Sequence, residues 1–331
     1  MARREDIDRA KGLAILLVVF GHLVARADPA HVSWYEPLRA AVYAFHMPFF
    51  LYLSGLVASV SGGLWRPRAA WGEAVKSRFL RLLLPFFGMG GLIVLGKLAF
   101  RPFMQVDHAP DGLAEGIRDL LWHTAYSPAL SIWYLFVLFV VSLAAMVMLD
   151  GKARRLKFLL VFCALLYVLP LPEYFYADRV GTYAVFFMCG AGAASLGARW
   201  EMFMFRNWRV LLAMLGVCLG TIICFGAHWP QKLILFPVGV LAMPALHGWL
   251  RCSPLCFPKV FLLLGRYSFM IYLFNTLFIG LTKGVLLHFC SWDGPNFVPF
   301  AMALMAAGIF GPIALKQSLI RYVPVLDHLT D

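Results

Sequence analysis

The stretch KGLAILLVVFGH, residues 11–22, sets Lys11 and His22 with ten residues between them on an otherwise apolar segment. A second apolar stretch, FHMPFFLYLSG (45–55), carries His46. An imidazole exchanges a proton near neutral pH, so a shielded His22 has the chemistry of a general base or a nucleophile. A third stretch, SRFLRLLLPF (77–86), places Arg78 and Arg81 at i and i+3, expected on one helix face. Guanidinium groups there favour forked contacts with phosphate. Each group also has a plainer reading. Lys11 can snorkel to an interface, Asp8 suits a helix N-terminus, a buried histidine can bond a backbone carbonyl, and Arg78 and Arg81 can be simple topological charge.

The elements that position these groups follow from composition. The chain has 331 residues, 62% of them hydrophobic and only 14% charged, with the apolar residues in long blocks. A bilayer core takes about 20 apolar residues per crossing, and in lipid such blocks must be helices. Hydropathy places ten spans at 9–25, 39–60, 79–100, 130–149, 156–172, 181–198, 208–225, 233–250, 266–288 and 297–317. The fold class is therefore all-α and polytopic, with one membrane domain over 1–331. On those spans 21 of the 29 Lys and Arg fall on one side and 8 on the other. The rule that cytoplasmic loops hold the basic excess then puts both termini in the cytoplasm, and the localisation is an inner, cytoplasmic membrane. The same sort explains the net charge of +12 without nucleic acid.

Depth follows from helix rise. His22 lies about 16 Å beyond Lys11, and His46 lies about 10 Å in from Arg39 on the next span. The two histidines fall in overlapping depth bands of antiparallel spans, where they can share a cavity. Pro48 is expected to kink that second span.

The remaining features are quieter. Of the seven cysteines, Cys252 and Cys256 stand too far from other ligands to argue zinc, so no metal is expected. Ala25-Arg26-Ala27 resembles a signal cleavage site, but cutting there would discard the Lys11–His22 segment, and an uncleaved span is expected. The connection 101–129 contains GLAEGIRDLLWH (112–123), with apolar residues at helical spacing that suit an interfacial helix. Trp65, Arg66, Arg68 and Trp71 suit an interfacial anchor. His31, His108, His228, His247, His288 and His328 fall in loops or near span ends, where solvation suffices, and His123 approaches the outer face with Trp133 and Tyr134 near the start of the fourth span.

At this point the residues carry a resemblance. DRAKGLAILLVVFGH (8–22), FHMPFFLYLSG (45–55), RFLRLLLPF (78–86), WYL (133–135) and GRYSFMIYL (265–273) resemble, in order, the motifs of the membrane-bound acyltransferase 3 family. The likeness is greatest to its fucose 4-O-acetyltransferase-like branch. The resemblance implies transfer of an acyl group, usually acetyl from acetyl-CoA, to a hydroxyl of a saccharide or surface-glycan precursor. It implies His22 as the catalytic residue with Lys11 as its basic partner, and Arg78 and Arg81 as contacts for the donor's phosphates. His46 joins the candidate catalytic group, and Asp8, Trp133, Tyr134 and Asn275 are candidate substrate contacts. Family members often carry a histidine after the segment matching YSFMIYL, where this chain has Asn275, which offers hydrogen bonds without charge.

The chemistry fits these residues. O-acyl transfer needs a hydroxyl deprotonated as it attacks a thioester, and cationic groups belong where an anionic cytoplasmic donor enters. A transporter or flippase of a glycan precursor is the alternative, but the inverted repeat such proteins often carry is not visible. A structural or regulatory subunit would leave His22, His46 and the arginine pair without a reason to coexist.

Overall fold

The computed structural model describes residues 4–24, 29–102, 109–225, 231–253, 258–323 and 327. Arg3, Ala25-Arg26-Ala27, His108, His228, Cys256 and His328 lie outside the described residues. Within them the chain is helical, without a strand. Fourteen α-helices follow in order: α1 (Glu5–Gly21), α2 (Tyr35–Tyr43), α3 (His46–Val60), α4 (Trp71–Arg78), α5 (Leu84–Phe100), α6 (Leu113–Asp119) and α7 (Trp133–Leu149). Then come α8 (Arg155–Val168), α9 (Ala177–Leu196), α10 (Ala198–Phe225), α11 (Gln231–Cys252), α12 (Pro258–Arg266), α13 (Ser268–Leu286) and α14 (Phe297–Ser318).

Seven helical stretches are long and apolar enough to cross a membrane: 35–60, 68–100, 130–149, 198–225, 231–252, 268–286 and 294–322. The other three expected spans form helices that fall short of that measure. α1 has 17 residues and α8 has 14. α9 reaches 20 residues but includes Asp178, Arg179 and three glycines, which lower its apolar content. Its inner face is nevertheless deeply buried, so α9 belongs to the middle of the bundle rather than its rim. α10 is the opposite case: only 11% of its apolar window is buried, against 72% for the stretch containing α3. An apolar helix exposed in this way faces lipid.

Two glycine contacts seat the histidine-bearing helices. A Cβ at Gly12 would lie 2.0 Å from the Phe261 carbonyl oxygen, and one at Gly265 would lie 1.9 Å from that of Asp8. The two contacts bring α12 backbone-to-backbone onto α1. Likewise a Cβ at Gly55 would meet the Phe187 carbonyl oxygen at 1.9 Å, and one at Gly190 that of Tyr52 at 2.0 Å, which brings α3 and α9 backbone-to-backbone. Close approach through small residues is how helices associate where no hydrophobic force drives them together.

The second expected span differs in detail. It breaks at Phe45 (φ −139°), and α3 begins at His46. Pro48 therefore sits in the first turn of α3, where a missing N–H is tolerated, instead of kinking a continuous helix. The helix expected in the 112–123 segment forms as α6, with Leu113 and Ile117 exposed. Of the expected anchor residues, Arg68 forks onto Asp150 at 3.0 and 3.1 Å, and Trp65 donates to Ser59 Oγ at 3.1 Å.

Candidate active site

The site grows from the end of α1. A helix leaves its last carbonyls without partners, which is costly away from water. α2 supplies those partners from one face at a spacing of four. Tyr35 donates its hydroxyl to the Phe20 carbonyl at 3.0 Å, Arg39 donates to the Val24 carbonyl at 3.0 Å, and Tyr43 donates to the Gly21 carbonyl at 3.0 Å. A Cβ at Gly21 would come within 2.9 Å of the Tyr43 ring, so only glycine lets that ring close over the helix end. His22 is the residue that caps α1, and this brace fixes where its side chain starts.

The imidazole is then oriented by α13. Asn275, fully buried, donates its amide to the carbonyls of Ile271 at 2.8 Å and Tyr272 at 2.9 Å. With both amide hydrogens committed, its oxygen faces His22 Nδ1 at 2.8 Å and can only accept. His22 therefore carries its proton on Nδ1 and presents a lone pair on Nε2. Among the described residues Nε2 has no hydrogen-bond partner, and His22 remains partly accessible. An imidazole whose tautomer is set by a second side chain is the arrangement that general-base and nucleophilic catalysis use.

His46 repeats the pattern with a different partner. Its Nδ1 lies 3.0 Å from the Val42 carbonyl, so Nδ1 donates, and Nε2 again has no partner among the described residues. The Tyr43 ring lies edge-on to it at 4.7 Å. Tyr43 joins the two histidines, touching the anchor of one and the ring of the other.

A chain of hydroxyl and aromatic side chains leads on from Asn275. Tyr134 bonds Ser54, and its ring lies 5.4 Å from that of Tyr272. Tyr272 donates to the Ser131 carbonyl at 2.9 Å, and Ser131 bonds Thr276, the neighbour of Asn275, at 3.3 Å. Trp133 stacks on Tyr183 at 4.9 Å, and the Arg179 guanidinium lies 4.8 Å over its ring. Tyr134 and Asn275 are thus drawn into the His22 neighbourhood, with Trp133 beside them.

The expected donor residues stand apart from this group and from one another. Lys11 is half-buried and Asp8 is buried on the first half of α1, about 16 Å and about 21 Å of helix rise below His22. Arg78 and Arg81 do not share a face, because a π turn, Phe79–Leu83, intervenes. Residues in a π turn advance less than the roughly 100° of an α-helix, so Arg81 does not come to lie over Arg78. Arg78 turns inward to the Gly63 carbonyl at 2.8 Å and Met146 Sδ at 3.5 Å, whereas Arg81 is exposed.

His247, expected in a solvated position, is instead 1% exposed inside α11. Trp200 donates to the Tyr52 hydroxyl at 2.9 Å, and that hydroxyl lies 2.9 Å from His247 Nδ1. Its other nitrogen lies 3.4 Å from Asp6 Oδ2. Arg4 and Arg251 reach the same Asp6 oxygen at 2.8 Å, and both arginines also meet Glu201 at 3.1 Å. Burial alone would raise the Asp6 carboxyl, but His247 and Arg4 outweigh it and hold the group well below the usual carboxylate range. Among the described residues no group of three or more His, Cys, Asp or Glu side chains is arranged to hold a metal ion.

These observations define a class: a multi-pass helical membrane protein with an oriented imidazole inside its bundle, linked through Asn275 to hydroxyl and aromatic side chains. The model of the acyltransferase 3 family, described as an acyltransferase domain, matches residues 4–316, and the chain belongs to that family of acyltransferases. It is 36% identical over 124 residues to nodulation protein NolL of Sinorhizobium fredii, covering 36% of this chain and 32% of that protein. It is 35% identical over 82 residues to nodulation protein NolL of Mesorhizobium japonicum, covering 24% of this chain and 21% of that protein. The chain thus spans about a third and a fifth of the length of these relatives. No solved structure matches.

Proposed function

We propose that the protein is an O-acyltransferase that moves an acetyl group from cytoplasmic acetyl-CoA to a hydroxyl of a saccharide or surface-glycan precursor. The observation that carries this reading is the His22–Asn275 pair, which leaves the Nε2 lone pair available. As a base, Nε2 takes the acceptor hydroxyl's proton while the oxygen attacks the thioester carbonyl, and it returns that proton to the departing thiolate. As a nucleophile it would carry the acyl group itself. His46, with the same free nitrogen, stands as a second proton acceptor. Lys11, Arg78 and Arg81 are assigned to the donor's anionic end. Asp8 sits beside Lys11, where its charge would shape that end of the site. The thin pantetheine arm would run along α1 from Lys11 towards His22.

In this reading the chain crosses an inner membrane ten times, with both termini cytoplasmic. α1 and α9 are crossings shielded by the helices around them, and α8 is a short crossing with one face on the bundle and the other exposed. Mass spectrometry of surface glycans from cells with the wild-type chain, with His22→Ala and without the protein tests it. One acetyl group per acceptor is expected only with the wild-type chain. Glycans unchanged by removing the protein would overturn the assignment.

A further inference from the structure

Arg179, on the first turn of α9, stands out among the half-buried arginines. Arg39 and Arg251 face carboxylates, and Arg78 faces a carbonyl. Arg179 instead lies over two rings, 4.8 Å from the centroid of Trp133 and 5.7 Å from that of Tyr176. Among the described residues its guanidinium makes no hydrogen bond or ion pair, and the adjacent Asp178 feels its charge without pairing to it. Its stacking contacts engage the π faces of the rings and leave the N–H edge, the part that recognises ligands, uncommitted.

A half-buried guanidinium that makes no ion pair keeps N–H donors that the oxygens of a ligand can meet. The place is informative too. Trp133 opens α7 next to Tyr134, whose ring lies 5.4 Å from that of Tyr272, and packs against Tyr183 at 4.9 Å. The Tyr272 backbone carbonyl in turn accepts one of the two Asn275 amide hydrogens. The cation therefore looks onto the surroundings of the imidazole pair from the side away from Lys11.

The geometry points to Arg179 as the acceptor-binding residue, forking onto an anionic oxygen pair, a carboxylate or a phosphate, of the saccharide. This rests on the acyltransferase reading above and names the acceptor's chemistry: an acidic sugar rather than a neutral one. The other source of such oxygens is a lipid headgroup.

The test uses the full chain in nanodiscs of phosphatidylcholine, with thermal unfolding as readout. Methyl glucuronide and methyl glucoside, which differ at C6, are compared at millimolar concentration. The glucuronide is expected to raise the wild-type midpoint and the glucoside to leave it in place. Arg179→Gln is expected to abolish the shift, and Arg179→Lys, which keeps charge but not the fork, to lose most of it. If Arg179→Gln does not fold, the Lys variant carries the comparison. No glucuronide shift in the wild type, or a shift that survives in both variants, overturns the proposal. So does a midpoint that responds to Arg179 only when phosphatidylglycerol is added to the disc, which assigns the cation to lipid. Binding needs no turnover: an Arg179-dependent shift without acyl transfer would sink the catalytic reading alone, and transfer without the shift would sink this one alone.

Discussion

His22 and His247 are both histidines enclosed by helices, yet their surroundings differ. At His247, Nδ1 meets Tyr52, Nε2 faces Asp6, and Arg4, Arg251 and Glu201 complete a closed set of charges. At His22, Asn275 holds Nδ1 and no protein group answers Nε2 among the described residues. The first arrangement ties the start of α1 to α10 and α11. The second leaves a base with a fixed direction and a free lone pair. Burial therefore does not mark the reactive histidine; an oriented ring with one uncommitted nitrogen does.

The comparison breaks most visibly at the rings themselves. His22→Ala is expected to lower acyl transfer by about a thousandfold, within the range for losing a general base, with the thermal midpoint kept. His247→Ala is expected to lower the midpoint while transfer per folded molecule stays near wild type. Next in size is Asn275. Asn275→Leu removes the acceptor that sets the His22 tautomer, and transfer should fall by about one to two orders of magnitude. Asn275→Asp restores an acceptor at the same place and should recover most of that loss, which a merely structural role would not allow.

Asp6 comes third. Replacing it by Ala leaves Arg4 and Arg251 to share Glu201 alone and His247 Nε2 without its facing carboxylate, a loss of about 3 kcal/mol, read as a lowered thermal midpoint. Its native value is depressed, so its stabilisation is full above the unfolded carboxylate value of about 4 and is lost as pH falls towards the folded one. The midpoint difference between wild type and Asp6→Ala should therefore shrink below about pH 4. The smallest effect belongs to Tyr52→Phe, which removes one hydroxyl from the His247 set. It should cost about 1 kcal/mol of stability and leave transfer intact.

Much of the reactive arrangement was legible from residue types. The Lys11 to His22 interval, His46 and Asn275 all stand in motifs of the sequence, and helix rise alone separates the two ends of α1. The brace on α1 was not read, although its signal was present. Tyr35, Arg39 and Tyr43 recur every four residues, which is one face of a helix, but hydropathy began the span at 39 and hid the row. The pairing of Asn275 with His22 joins residues 253 positions apart, which no local pattern encodes. His247 was misplaced because a histidine near a span end looks solvated until its partners from α1, α3 and α10 are known. The π turn escaped because nothing in FLRLL distinguishes it from an α-helix, so Arg78 and Arg81 were put on one face.

The central claim is the tautomer of His22, and nitrogen NMR reads it directly. Full-length protein with ¹⁵N-histidine is placed in bilayers, and the His22 resonances are assigned by their loss in His22→Gln. A protonated Nδ1 and an unprotonated Nε2 are predicted, with that preference lost in Asn275→Leu. A proton resident on Nε2 in the wild type, or a tautomer indifferent to Asn275, would contradict the account.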